Sequence, residues 1–204
     1  MIGVINYRAG NGPSVLAAFR RLGVHAELVE TPQALAAAER IVLPGVGSAD
    51  ATMSSLREMD LLSSLNSSVR RERKPFLGVC VGLQVLFEAS DEGNARTLGW
   101  LPGRVTRFDS REVRVPQMGW NRVDRLRRHP IFEGVPDDAH MYFVNSFHAR
   151  VAVQDHLLAT SDYAGPATAA VADGNVVATQ FHIEKSGPTG LRMLANFARW
   201  SPSC

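Results

Sequence analysis

The sequence has little of what marks a secreted, membrane-spanning or polyanion-binding protein. It holds two cysteines in 204 residues, Cys80 and Cys204. Two are too few for a disulfide framework, and a reducing cytoplasm, which would keep Cys80 free, is the compartment they suit. Apolar runs are short, and none approaches the roughly 18 residues a membrane span requires. The start, Met1-Ile2-Gly3-Val4-Ile5-Asn6, lacks the basic opening and long apolar core of a signal peptide. An excess of one charge is missing too. The formal net charge is +2, so electrostatics make no case for nucleic acid or a membrane surface. Arg70, Arg71, Arg73 and Lys74 do cluster, but a helix C-terminus favours such residues and the run reads as a solvated helix end. There is no repeat, low-complexity tract or long linker. What remains is the length and composition of one globular domain, 1–204, able to bury a full core.

The first half alternates short apolar strands with helical segments. Strands are expected at Ile2 to Asn6, Val24 to Val29, Arg40 to Leu43 and Phe76 to Val79. Helices are expected at Pro13 to Leu22, after Pro32, and over Asp50 to Arg73 with a break near Asp60. A further helical run follows at Leu83 to Ala89. This rhythm predicts a parallel sheet covered on both faces. The second half changes character. Val105 to Phe108 and Val113 to Val115 read as paired strands around Asp109-Ser110, and Met141 to Val144 as another strand. Ala167 to Ala172 and Asn175 to Gln180 flank Asp173-Gly174, a two-residue hairpin signal. Gly190 to Trp200 reads as a closing helix, with Leu191, Leu194, Phe197 and Ala198 on one face. The fold expected is α/β, with a mostly parallel central sheet, helices on both faces and an added antiparallel region.

One stretch carries chemistry. Gly78-Val79-Cys80-Val81-Gly82 places a cysteine at a turn between a strand and a helical run. A nucleophile there needs small neighbours, and the helix N-terminus behind it favours the negative charge of a thiolate. A thiolate also needs an imidazole nearby. Of six histidines, His182 stands at the end of a predicted strand with Glu184 two residues on, so both side chains point the same way in extended backbone. A carboxylate so placed can orient the ring, as in a nucleophile–base–orienter triad. Each part alone has a plainer meaning, since a lone cysteine in an apolar segment is ordinarily core and a lone histidine beside a strand is ordinarily structural. Together, at the ends of parallel strands, they point to acyl transfer. That chemistry requires an oxyanion hole. The N–H of Val81, just past the nucleophile, is one candidate donor, and Val46 in the turn Pro44-Gly45-Val46-Gly47 is the other.

These blocks, in this order, resemble the class I, triad-type glutamine amidotransferases, with their G-x-C-x-G elbow, P-G-x-G strand end and downstream F-H-x-E. Within that family the likeness is to the glutaminase subunits of imidazole glycerol phosphate synthase, of histidine biosynthesis. It rests on Asn6-Tyr7 with Gly10-Asn11, Pro44 to Gly47, Cys80 to Gln84, Pro116-Gln117-Met118-Gly119-Trp120-Asn121, Tyr142 to Ser146 and Gln180 to Ser186, and so spans nearly the whole chain. The resemblance implies a flavodoxin-like core. It implies Cys80, His182 and Glu184 as catalytic residues, and Gly47, Gln84 and Ser146 as glutamine-binding residues. It implies no cofactor and no metal. It implies ammonia delivery to a TIM-barrel cyclase partner in a heterodimer, docked against Asn11, Pro116, Met118, Gly119, Trp120 and Asn121. An ordinary core position is the competing expectation for Trp120.

The sequence departs from the family pattern at four places. Asn145 stands where the family usually has His, Ile183 where Pro is common, Asn6 where Asp is usual and Gln117 where His is usual. No triad member is lost: Ile183 is expected to loosen a backbone constraint beside the triad, and the changes at Asn6, Gln117 and Asn145 are expected to remove charge or a titratable group from site-side or partner-side surfaces. Paralogous subunits feed other synthases, including enzymes that amidinate surface sugars. That role, a free-standing γ-glutamyl hydrolase and a non-catalytic regulatory module are the alternatives the residues leave open.

Overall fold

In a computed structural model, residues 1–8 and 10–202 are described, which leaves Cys204 outside. In chain order β1 (Ile2–Ile5) leads through α1 (Gly12–Arg21) to β2 (Ala26–Val29), α2 (Pro32–Ala37), β3 (Arg40–Leu43), α3 (Ala49–Glu58), α4 (Leu61–Asn66) and β4 (Phe76–Val79). One helical turn, α5 (Val81–Gln84), precedes β5 (Ala89–Ser90), β6 (Ala95–Arg96), β7 (Gly103–Arg107), β8 (Gln117–Arg122) and β9 (Asp124–Arg125). The chain then runs through β10 (His140–Asn145), β11 (Phe147–Val151), β12 (Leu157–Asp162), β13 (Pro166–Asp173) and β14 (Val176–Thr179) to α6 (Gly187–Arg199).

Eight strands form one sheet in the order β2-β1-β3-β4-β14-β13-β12-β9. From β2 to β14 every pairing is parallel, and β13, β12 and β9 continue the sheet antiparallel. The parallel half follows the doubly wound order in which a ligand sits beyond the carboxyl ends of the strands. In β1, β4 and β14 every residue is buried. Neighbouring residues in a strand face opposite ways, so both faces of the sheet are covered. Phe19, Phe76, Phe87, Phe181 and Phe197 fill the space between sheet and helices. β8 and β10 pair separately, and β11, β7, β5 and β6 form a third small sheet.

Local chemistry explains most boundaries. Pro13 opens α1 and Arg20 and Arg21 close it, as a helix dipole favours. Thr31 caps α2, its hydroxyl oxygen accepting the Ala34 N–H at 3.2 Å. The expected break near Asp60 is a left-handed residue at φ 56° between α3 and α4. The basic run from Arg70 closes the helical stretch, with Arg70 3.4 Å from Asp173 and Lys74 3.0 Å from Glu72.

Three expectations are corrected. The helical run Leu83 to Ala89 stops after Gln84, because the carbonyls of Val85, Leu86 and Phe87 accept bonds from Leu98, Gly99, Trp100 and Leu101 instead of from the next helical turn. Val113 to Val115 is not a strand. Asp109 organises a turn there, its carbonyl accepting from the Glu112 and Val113 N–H groups, and β7 pairs with β11. The last helix starts three residues early, at Gly187, with Pro188 in its first turn. Leu194 and Phe197 are fully buried on it. Among the described residues no helix is long and apolar enough to cross a membrane.

Candidate active site

Cys80 stands where β4 ends and α5 begins, at φ 55° and ψ −107°. A left-handed φ costs a non-glycine residue on the order of 1–3 kcal/mol and persists only where the surroundings enforce it. Here they do. A Cβ on Gly78 would lie 2.4 Å from the Gly82 carbonyl oxygen, and one on Gly82 would lie 2.0 Å from the Leu43 carbonyl oxygen. A Cβ on Gly45 would lie 2.6 Å from Val81 Cβ. The elbow and the turn after β3 therefore press backbone against backbone, and only glycine fits at these points.

Parallel pairing brings the second half of the site to the first. Val79 lies opposite Thr179 in the β4–β14 ladder, and the Cys80 N–H extends the ladder to the Thr179 carbonyl at 2.8 Å. Residues 80 and 180–182 thus leave the same edge of the sheet. The His182 backbone is fixed from two sides. Its N–H donates to the Tyr142 carbonyl at 2.9 Å, and its carbonyl accepts the Ser186 hydroxyl at 2.7 Å. Nδ1 of His182 lies 2.9 Å from Glu184 Oε1, both side chains being 1% exposed. Asn11 completes the shell, its amide donating to the same Glu184 oxygen at 2.7 Å. With Nδ1 so engaged, the buried Nε2 is left for the Cys80 thiol beside it. Burial opposes a charge on the ring, but the Cys80 sulfur and the Glu184 carboxylate outweigh it and raise the His182 pKa to about 9. A pKa shifted in this direction suits a ring that pairs with a thiolate and gives up a proton.

A cavity of about 360 Å³ opens onto Cys80 and His182, large enough for an amino acid. Val46, Gly47, Val81, Gln84 and Ser146 all line it. Val81 is the first residue of α5, so its N–H has no acceptor within the helix. Glu184 stands behind His182, outside this cavity. A slightly larger cavity, about 400 Å³ beside Arg125, Arg127 and Arg128, lies apart from these groups. No cluster of three His, Cys, Asp or Glu among the described residues is placed to hold a metal.

Sequence reasoning missed Glu92. Its carboxylate lines the cavity and accepts the Ala49 N–H at 3.2 Å. Burial raises its pKa and nearby Asp50 adds to this, against that backbone bond. Nothing in the polar stretch Asp91-Glu92-Gly93-Asn94 marks it out, because only the folding of β5 and β6 brings it to Cys80. Asn11, expected at a partner face, also directs its amide to Glu184. Met118 and Trp120 stand outward on β8, 66% and 53% exposed, and Trp120 touches Tyr142 edge-on at 5.9 Å between ring centres. The ordinary core position does not hold for Trp120.

Of the four departures, Asn145 and Gln117 are buried, Asn145 on the site side as expected and Gln117 beneath it. They face each other in the β8–β10 pair, and Asn145 also lines the cavity. Asn6 bonds Glu30 at the end of β1. Ile183 is fully buried as the first residue of the single 3₁₀ turn after His182. The N–H at that position has no helical acceptor, so isoleucine and proline can both occupy it.

Known proteins are similar to this chain in sequence and in fold. The class I glutamine amidotransferase family model matches residues 4–200. The chain is 42% identical over 205 residues to the imidazole glycerol phosphate synthase subunit HisH of Chloroflexus aurantiacus, covering 98% of this chain and 96% of that one. It is 43% identical over 206 residues to the HisH subunit of a Synechococcus strain, covering all of this chain and 94% of that one. Among solved structures, a glutamine amidotransferase superposes with a TM-score of 0.76 at 22% identity over 97% of this chain and 98% of that one. PurLQS from Thermotoga maritima gives 0.77 at 16% identity over 96% of each. The last two likenesses speak for the fold alone. The chain belongs to the class I glutamine amidotransferase family, among the HisH subunits of imidazole glycerol phosphate synthase.

Proposed function

We propose that the chain, as a single amidotransferase domain, hydrolyses glutamine at Cys80 and passes the ammonia to a TIM-barrel cyclase subunit that makes imidazole glycerol phosphate in histidine biosynthesis. The observation that carries this reading is the buried His182–Glu184 pair beside a strained nucleophilic cysteine at the mouth of an amino-acid-sized cavity. Cys80 Sγ, as thiolate, attacks the side-chain amide carbon of glutamine. The carbonyl electrons move to oxygen, which the Val81 and Val46 N–H groups stabilise. The oxyanion collapses, the C–N bond breaks, and His182 protonates the departing nitrogen to give ammonia and a γ-glutamyl thioester. His182, now neutral, takes a proton from water, whose oxygen attacks the thioester. Glutamate leaves and the thiolate is restored. Glu184, held by Asn11, keeps the ring oriented through both steps.

Gly47, Gln84 and Ser146 hold the substrate in this scheme. Glu92, the carboxylate at the far side of the cavity wall, takes the α-ammonium group, whose charge answers that of a half-buried acid. Glu92→Gln is expected to raise KM for glutamine by about 10- to 100-fold with a much smaller change in kcat, the value of a hydrogen bond to a charged group. An unchanged KM in steady-state assays would remove Glu92 from the substrate site.

Exposed Met118 and Trp120 form the apolar anchor for the cyclase, together with Pro116, Gly119 and Asn121, since buried aromatic and apolar side chains carry most interface energy. A free thiol at Cys80 suits a reducing cytoplasm. The test is glutamate release by the pure chain, alone and with the histidine-pathway cyclase and its ribotide ligand. Strong stimulation by the liganded cyclase is expected. Turnover that ignores the cyclase would move the chain to another synthase or to a free-standing hydrolase. Absence of turnover, with Cys80 refractory to a glutamine-analogue electrophile, would mark a non-catalytic module.

A further inference from the structure

Gln180 has no role in the scheme above, yet among the described residues its side chain is the one amide in hydrogen-bonding reach of the nucleophile. Its Nε2 lies 3.7 Å from Cys80 Sγ, and Gln180 is 1% exposed. The orientation of this amide is dictated by its neighbours. The Phe147 carbonyl can only accept, so the Gln84 group 3.0 Å from it is the NH₂. The same NH₂ lies 3.1 Å from Gln180, which must therefore present its oxygen to Gln84. That leaves the Gln180 NH₂ for the sulfur. The relay Phe147–Gln84–Gln180–Cys80 is buried from Gln84 onward, with Gln84 at 3% and Cys80 at 5% exposure, and its Phe147 end is half-buried. Gln84 borders the cavity, whereas Gln180 does not line it.

We propose that Gln180 is a positioning residue for the thiolate: it donates to Cys80 Sγ, favours the charged sulfur and holds it in the attacking rotamer, while Gln84 ties this donor to the substrate cavity. A donor to a buried anion acts most strongly where water is excluded. His182 supplies the opposite charge from one side and Gln180 a directed N–H from another. This inference rests on the glutaminase reading, and its test separates the two.

The full-length chain is assayed in complex with its cyclase for glutamine turnover, and Cys80 labelling by iodoacetamide is followed across pH. Gln180→Met keeps the bulk and removes the donor; Gln180→Leu removes it without adding any polar atom. In both, kcat is expected to fall about 10- to 100-fold with KM within about twofold. Labelling should slow and its pH profile should move to higher pH, a shift that a merely structural defect would not produce. Gln84→Met combined with Gln180→Met should slow labelling by less than the product of the two single effects, because one relay is being cut twice. Gln180→Met and Gln180→Leu variants that label and turn over like the wild type overturn the role of Gln180 and leave the triad standing. A wild-type complex that neither turns over glutamine nor takes the label overturns the triad reading and this one with it.

Discussion

Cys80→Ala is expected to lower glutamate release by at least about ten-thousand-fold, the scale on which loss of a covalent nucleophile registers when the rest of the site stays in place. Cyclase binding should persist, because Met118 and Trp120 lie on a different sheet. The same position carries a second expectation of opposite sign. Alanine normally stabilises a protein relative to glycine by roughly 0.5–1 kcal/mol. At residue 80 the order should invert, because alanine keeps the strain of φ 55° and glycine removes it. Cys80→Gly should thus be inactive and more stable than Cys80→Ala by about 1 kcal/mol. Urea unfolding of the two variants measures this, and an alanine variant at least as stable as the glycine variant would show that the elbow is not strained. The trade is physical: the turn that exposes the sulfur to substrate and backs it with α5 is one that an L-residue resists.

The parallel half of the fold was legible because its strands are continuous apolar runs buried on both faces, as in Phe76 to Val79, and its turns are punctuated by proline and glycine. The antiparallel half was less so. β8 reads Gln117-Met118-Gly119-Trp120-Asn121-Arg122, in which exposed residues are the large apolar ones, so alternation points the wrong way for a strand with a buried face. The helix expected through Ala89 failed for a different reason. Leu83 to Ala89 has helical composition, but the segment 98–101 competes for its carbonyls, and that competition is tertiary. Site residues divide along the same line. Cys80, His182 and Glu184 carry local signatures, a glycine-flanked elbow and an i, i+2 pair. Glu92, Asn11 as the partner of Glu184, and Gln180 as the partner of the sulfur depend on pairings across 43 to 173 positions of sequence, and no local pattern encodes those distances.

His182→Asn is expected to lower kcat by about a thousand-fold or more, since it removes both the acid that releases ammonia and the base that activates water. The wild-type pH dependence carries the finer information. Burial alone would hold the ring neutral, but the Cys80 sulfur and Glu184 reverse that and raise its pKa from 6.5 to about 9. Taken alone, a group whose pKa is higher folded than unfolded loses its stabilising contribution as pH rises through that window. The proposed Cys80 thiolate offsets this, because it has given up the proton that the ring holds. The folded pair then carries one proton, as do thiol and neutral imidazole in the unfolded chain, and the unfolding free energy should change little through most of the window. Iodoacetamide labelling of Cys80 at intervals through it should be faster in the wild type than in His182→Asn. The same protonation governs chemistry, so glutaminase activity of the complex should fall on an alkaline limb near pH 9, where the acid that accompanies ammonia's departure is lost. Wild-type labelling no faster than that of His182→Asn would mean that the pair rests as thiol and neutral imidazole in the folded chain. The proton needed for ammonia would then have to be taken from the Cys80 thiol during attack rather than stored on the ring beforehand. Those two routes differ in one respect that kinetics can read: only the stored proton lets the thiolate react with a neutral electrophile before any glutamine is bound.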